Sequence, residues 1–141
     1  MTMFGFRRNK QPPPVAHRLE FLGKGAYEHR LADSDFGLVV EDDGGTGYLY
    51  VTNSSFSFIY DALHLYDHGD ADQLNPGEEV YLVWSATLQK AGLYYRGRFQ
   101  AGVNFNEREA RCRSGFPARL ENSPWKSDHT WNDSVVSGLE P

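Results

Sequence analysis

Two stretches of this chain carry residue types that do chemistry in other proteins, and their spacing decides what each can do here. His64, Asp67, His68, Asp70 and Asp72 place two imidazoles and three carboxylates close together in sequence. A calcium loop starting at Asp70 needs oxygen ligands at its fifth and twelfth positions, where Leu74 and Tyr81 stand. A zinc pair from His64 and His68 needs helical i, i+4 geometry and a third ligand; on a strand the two rings share a face but lie too far apart. Neither a metal nor a cofactor is expected. Cys112 precedes Arg119 with six residues between them, and Ala118 stands where the arginine of a cysteine-phosphatase loop belongs. The neighbouring arginines favour a thiolate, but the geometry is wrong, so Cys112 reads as an ordinary cysteine. Gly23-Lys24-Gly25 and Gly44-Gly45-Thr46-Gly47 lack the Lys-Ser/Thr pair and the following helix of a phosphate loop, and read as turns. No G-x-S-x-G occurs. His17, His29 and His129 are isolated and read as solvated or capping residues.

The elements that position these residues read as strands. Phe36–Glu41 and Tyr48–Thr52 flank the glycine-rich turn at 42–47 and predict a hairpin. Over Ile59–Asp67, simple alternation puts Ile59, Asp61, Leu63, Leu65 and Asp67 on one face, with Tyr60, Ala62, His64 and Tyr66 on the other. Asn75-Pro76-Gly77-Glu78 predicts a type II turn. It leads into Glu79–Thr87, a strand apolar on both sides that belongs in a sheet covered on both faces. A tight turn at Arg96-Gly97 pairs Leu93–Tyr95 with Phe99–Phe105, where Phe99, Ala101, Val103 and Phe105 share a face. Asn106–Cys112 suits one or two helical turns capped by Asn106. Trp125 and Trp131 are expected to pack back on the sheet. The fold class is therefore mainly β, an antiparallel meander, sandwich or half-open barrel with at most one or two short helices. One domain over 16–133 is expected, between a basic, proline-rich leader (1–15) and a frayed tail (134–141).

At 141 residues, with 40% hydrophobic and 14% aromatic side chains, the chain has enough apolar surface for one core. A single cysteine excludes a disulfide framework. The apolar start followed by Arg7, Arg8 and Lys10 reverses the order of a signal peptide, and no run is long enough for a membrane helix. A cytoplasmic protein that does not engage membranes is expected. The net charge of −5 conceals a strong segregation. Residues 31–89 hold 11 acids and neither Lys nor Arg, whereas 90–126 hold 8 basic residues and 3 acids. Converging loops at 41–43 and 67–79 would form a negative pole that attracts basic partners and repels nucleic acid. Arg96, Arg98, Arg108, Arg111, Arg113 and Arg119 near Tyr94 and Tyr95 suggest a counter-reading as a nucleic-acid patch, which the overall acidity disfavours.

Glu41-Asp42-Asp43-Gly44, Gly47-Tyr48-Leu49-Tyr50, Asp61–Tyr66 and Val83-Trp84-Ser85 form an ordered set. It resembles a bacterial family of small domains of unknown function over about residues 36–125, ending near Gly115-Phe116-Pro117 and Trp125. These are turn and core positions, so the resemblance implies a fold and carries over no catalytic residue. In size and charge the chain is also similar to toxin-neutralising immunity proteins.

The function expected is non-enzymatic: an immunity-type inhibitor that neutralises a basic toxin or effector. Glu41, Asp42, Asp43, Asp67, Asp70 and Asp72 supply its acidic loops. Tyr48, Tyr50, Tyr60 and Tyr66 are candidate aromatic anchors. The alternative is a small-ligand-binding or hydrolytic β domain that uses His64 with nearby carboxylates.

Overall fold

The computed structural model describes residues 12–118, 123–125 and 128–140. Among them are nine strands: β1 (Val15–Leu19), β2 (Gly25–His29), β3 (Phe36–Asp42), β4 (Thr46–Asn53), β5 (Ile59–Asp67), β6 (Val80–Trp84), β7 (Lys90–Tyr95), β8 (Arg98–Asn104) and β9 (Glu109–Cys112). Two antiparallel sheets face each other, one ordered β2-β3-β4-β5 and the other β1-β6-β7-β8-β9. Each contains a four-strand meander, and β1 crosses over to pair with β6. The leader expected over 1–15 lies outside the described residues as far as Gln11, and Val15 already opens β1. No described helix is long and apolar enough to cross a membrane.

The core sits between the sheets. Leu38, Val40, Leu49, Val51 and Leu63 from one sheet meet Val80, Leu82, Leu93, Ala101 and Val103 from the other, each wholly removed from solvent. Aromatic rings close one end: Phe105 stacks on Phe36 at 4.7 Å and on Trp84 at 5.6 Å, with Trp125 and Tyr60 beside them. The turn residues act as their types predict. Gly77 adopts φ 86° while Glu78 N–H donates to the Asn75 carbonyl at 3.2 Å, as a type II turn requires. Arg96 and Gly97 both adopt positive φ, the conformation that lets a two-residue hairpin follow the twist of its strands.

Three residues, Tyr60, Leu65 and Gln100, have no partner in the strand register. Each is a bulge, and each reverses the alternation beyond it. Asp61 and Leu63 face the core as the pattern predicts. The Leu65 bulge, however, turns Tyr66 inward and leaves it 1% exposed. Ile59, assigned by alternation to the face of Asp61, lies outward and is 49% exposed. Phe99 leaves the face of Ala101 and Val103, and its ring meets Tyr94 at 5.0 Å on the outer side of its sheet.

The expected helix over Asn106–Cys112 is a tight turn followed by β9. Asn104, not Asn106, supplies the cap, accepting from Glu107 N–H at 3.0 Å. Arg108 at φ 55° then returns the chain so that Glu109–Cys112 extends the sheet along β8. The expected frayed tail is also corrected. Asp133–Val136 is a 3-10 turn capped by the Asn132 side chain, and Val135, Val136 and Leu139 are buried against Val83 and Phe99. A Cβ on Gly102 would stand 2.5 Å from Val136 Cγ1, so glycine is what lets this segment lie on the sheet. Lys90 Nζ ties it down through the carbonyls of Ser134 and Ser137. This packing covers Val83 and gives the strand from Val80 its second buried face.

Two histidines read as isolated are paired inside the fold. His129 is buried, with one ring nitrogen on the Pro117 carbonyl and the other 2.9 Å from Asp61 Oδ1. Burial opposes its charged form, but the hydrogen bond and charge of Asp61 outweigh it and raise the pKa. His29 accepts from Trp84 Nε1 at 3.2 Å, and its ring lies 4.0 Å from that of His17. Burial, and then His17, lower its pKa to about 4.

Two measurements check this architecture. Leu139→Ala empties a fully buried site and should cost about 2–5 kcal/mol in urea unfolding. Stability should also peak near pH 6.5, the ordinary histidine value. Below that pH the unfolded chain binds the His29 proton more readily, so stability falls toward pH 4. Above it, the contribution of His129 is lost as pH rises through its elevated pKa. His29→Gln should reduce the acid-side slope and His129→Gln the alkaline-side slope in thermal melts across this range.

Candidate functional site

The acidic residues of the β3–β4 and β5–β6 loops do come together, but not all face solvent. Asp42 ends the inward-facing row of β3 and is 3% exposed. Its carboxylate accepts from Tyr66 Oη at 2.7 Å, from Gly44 N–H at 2.8 Å and from His68 Nε2 at 3.0 Å. Burial alone would raise its pKa, but these donors hold the carboxyl below the usual carboxylate range. His68 N–H also donates to the Gly45 carbonyl, so the two loops are joined directly. Asp42 is therefore a structural hub rather than a partner-facing acid, and Tyr66 is a core residue.

The remaining acids divide in two. Arg96 reaches into the 67–79 loop, donating to the carbonyls of Ala71 and Gln73 and pairing with Glu78 at 2.6 Å. Asp72 faces Arg98 at 3.5 Å, and Asp70 accepts from the Asp67 N–H. The arginines grouped as a basic patch are thus largely occupied: Arg111 pairs with Glu109 and Asp128, and Arg113 lies 4.0 Å over the Trp131 ring. Arg119 lies outside the described residues. Glu41, Asp43 and Asp67, in contrast, make no ion pair with Lys or Arg among the described residues.

These three border the outer face of the β2–β5 sheet. Tyr48 and Tyr50 project from β4 on that face and stack at 5.8 Å. Tyr50 Oη donates to Glu41 Oε1 at 2.9 Å. Burial and Glu41 raise the Tyr50 pKa; burial, Asp67 and Asp43 are among the causes that raise that of Tyr48. The His64 ring meets Tyr48 edge-on at 5.5 Å and Phe116 at 5.8 Å, continuing the aromatic row across the sheet. Tyr60 does not join it, because its bulge directs it to the aromatic end of the core. Phe116 is 56% exposed. An apolar residue between Gly115 and Pro117 was its only signal in the sequence.

His64 sits between Ser114 and Asp67, with Nδ1 3.0 Å from Ser114 Oγ and Nε2 2.9 Å from Asp67 Oδ1. Serine, imidazole and carboxylate are in line, yet the serine is a staple. Its oxygen accepts from Phe116 N–H at 3.2 Å and donates to the His64 carbonyl at 3.0 Å. Together with His64 N–H on the Phe116 carbonyl, this fastens the 114–116 segment to β5. Both imidazole nitrogens are engaged. Cys112 is wholly buried beneath, and burial pushes its thiol pKa up. His64 and His68 serve different carboxylates, and among the described residues no three potential ligands converge on one metal position.

Fold and site define a two-sheet antiparallel β-sandwich that leaves an aromatic, acid-bordered sheet face open among its described residues. The chain belongs to a family of uncharacterized proteins conserved in bacteria (DUF2251), whose model matches residues 22–140. The match leaves β1 outside and takes in every later strand together with the packed C-terminal segment. No curated protein and no solved structure matches the chain.

If Ser114 is a staple, Ser114→Ala should cost about 1–2 kcal/mol in chemical denaturation, because it strips partners from Phe116 N–H and the His64 carbonyl. An unchanged unfolding midpoint would show that the 114–116 segment is held by other means.

Proposed function

We propose that this protein is a non-enzymatic protein-binding module, an immunity-type inhibitor that neutralises a basic toxin or effector. The observation that carries this reading is the stacked Tyr48–Tyr50 pair bordered by Glu41, Asp43 and Asp67, three carboxylates that pair with no Lys or Arg among the described residues, Asp67 meeting only the His64 imidazole. Tyrosine rings supply broad contact area at small entropic cost and attract cations over their faces. Uncompensated carboxylates add steering and charge-assisted hydrogen bonds. Asp70 accepts from the Asp67 N–H next to that rim, and Asp72 contributes less because Arg98 already faces it. The single buried Cys112 suits the reducing cytoplasm in which such an inhibitor would act. The hydrolytic reading of His64 has weaker support, since Ser114 and Asp67 occupy both ring nitrogens.

The test is affinity capture from a lysate of the native host with tagged wild-type protein and a Tyr48→Ala/Asp67→Lys variant. The wild type should retain a basic protein that about 0.5 M salt releases, and the variant should retain about tenfold less. Equal retention by the variant, or no retention by the wild type, overturns the reading.

A further inference from the structure

On the same outer face, a cavity of about 250 Å³ lies over Val39, bounded by Glu28, Glu41, Tyr50, Thr52, Phe56 and Ile59. The strand register explains its composition. Glu28 pairs with Val39, Val39 with Tyr50, and Ala26 with Glu41, so Glu28 and Glu41 are diagonal neighbours at one side of an apolar floor. Tyr50 forms one wall, its hydroxyl fixed on Glu41 at 2.9 Å.

Phe56 forms the opposite wall and is held there by its loop. The Asn53 side chain accepts from Ser57 N–H at 2.9 Å and Phe58 N–H at 3.1 Å, and Phe56 N–H donates to the Asn53 carbonyl. Phe56 adopts φ 59°, and its ring lies over Gly37, where a Cβ would come within 2.5 Å of it. The cavity thus has two aromatic walls held in place before anything binds.

We propose that this cavity receives one arginine side chain of a basic polypeptide. This rests on the protein-binding reading and names the chemistry that the face selects. The lining contains two carboxylates and neither Lys nor Arg, so its charge is uncompensated by its own walls. A planar guanidinium stacks on aromatic faces and donates in several directions at once, which suits two carboxylates beside two rings better than a compact ammonium does. The volume lies below the roughly 300–1,000 Å³ of sites for drug-sized ligands and suits a single side chain. Glu28 has no hydrogen-bond or ion-pair partner among the described residues, whereas Glu41 is already oriented by Tyr50.

The test titrates the full chain with acetyl-arginine amide and with acetyl-citrulline amide, the uncharged isostere, and follows backbone amide resonances by NMR. Saturable shifts at Glu28, Val39 and Tyr50 with arginine, at least about tenfold weaker with citrulline, are expected. Glu28→Gln and Glu41→Gln, both near-isosteric at solvent-accessible positions, should weaken arginine binding and leave the spectrum folded. Equal shifts from the two amides, or shifts unaffected by both variants, overturn the proposal. This titration needs no protein partner. Capture of a basic protein without arginine binding would overturn the pocket alone, and arginine binding without capture would overturn the inhibitor reading alone.

Discussion

A pleated strand sends successive side chains to opposite faces, and in this sandwich the decisive placements come where one extra residue breaks that rule. Tyr60 and Leu65 interrupt β5 near its two ends, and Gln100 interrupts β8. Between the first two bulges, Asp61 and Leu63 face the core. Beyond them the order reverses, so Ile59 moves out to border the cavity over Val39 and Tyr66 moves in to reach Asp42. On β8 the same device turns Phe99 outward, where it forms the surface on which the C-terminal segment packs. The inside, the open face and the covered face all depend on three residues without register partners.

Asp42 shows how the acidic loops are held. A carboxylate so far removed from water is costly unless its oxygens are paired, and here phenol, imidazole and backbone amide all donate to it. The donors come from β5, the start of the β5–β6 loop and the β3–β4 loop, so one charge joins segments far apart in sequence. Arg96 plays the reciprocal part from the β7–β8 turn, entering the 67–79 loop and satisfying its carbonyls as well as Glu78. Part of the segregated charge is thereby consumed internally, while Glu41, Asp43 and Asp67, which pair with no Lys or Arg among the described residues, stand around Tyr48 and Tyr50.

The two outer faces are treated differently. Val135, Val136 and Leu139 cover the five-stranded sheet, which is possible because Gly102 presents no side chain beneath them. The four-stranded sheet has no such cover among the described residues, and its outer face carries the Tyr48 and Tyr50 rings with carboxylates beside them. This asymmetry between a face on which the chain's own C-terminal segment packs and one without such cover among the described residues underlies the functional reading.

The strands between Phe36 and Asn104, the two tight turns and the charge segregation were legible in the sequence because they follow from local rules: alternation, the φ preferences of Pro and Gly, and composition. β1 and β2 were not legible as strands, and β9 reads as helical. Tyr48, Tyr50 and Glu41 follow the alternation of β3 and β4, whereas Asp67, placed by alternation on the face of Leu63, reaches the outer side only because the Leu65 bulge precedes it. Asp42 and Tyr60 were misplaced because local pattern does not reveal which carboxylate a distant phenol will reach, or where a strand gains an unpaired residue. Glu28 and Phe56 went unnoticed because their meaning lies in a register across three strands and in a loop folded over Gly37. His29 and His129 looked isolated because their partners, Trp84 and Asp61, are distant in sequence. By itself the sequence determined which segments of the central meanders extend and where they turn, through local backbone preferences. Only the tertiary structure decided which faces are buried and which charges remain free, because burial and pairing depend on residues that folding alone brings together.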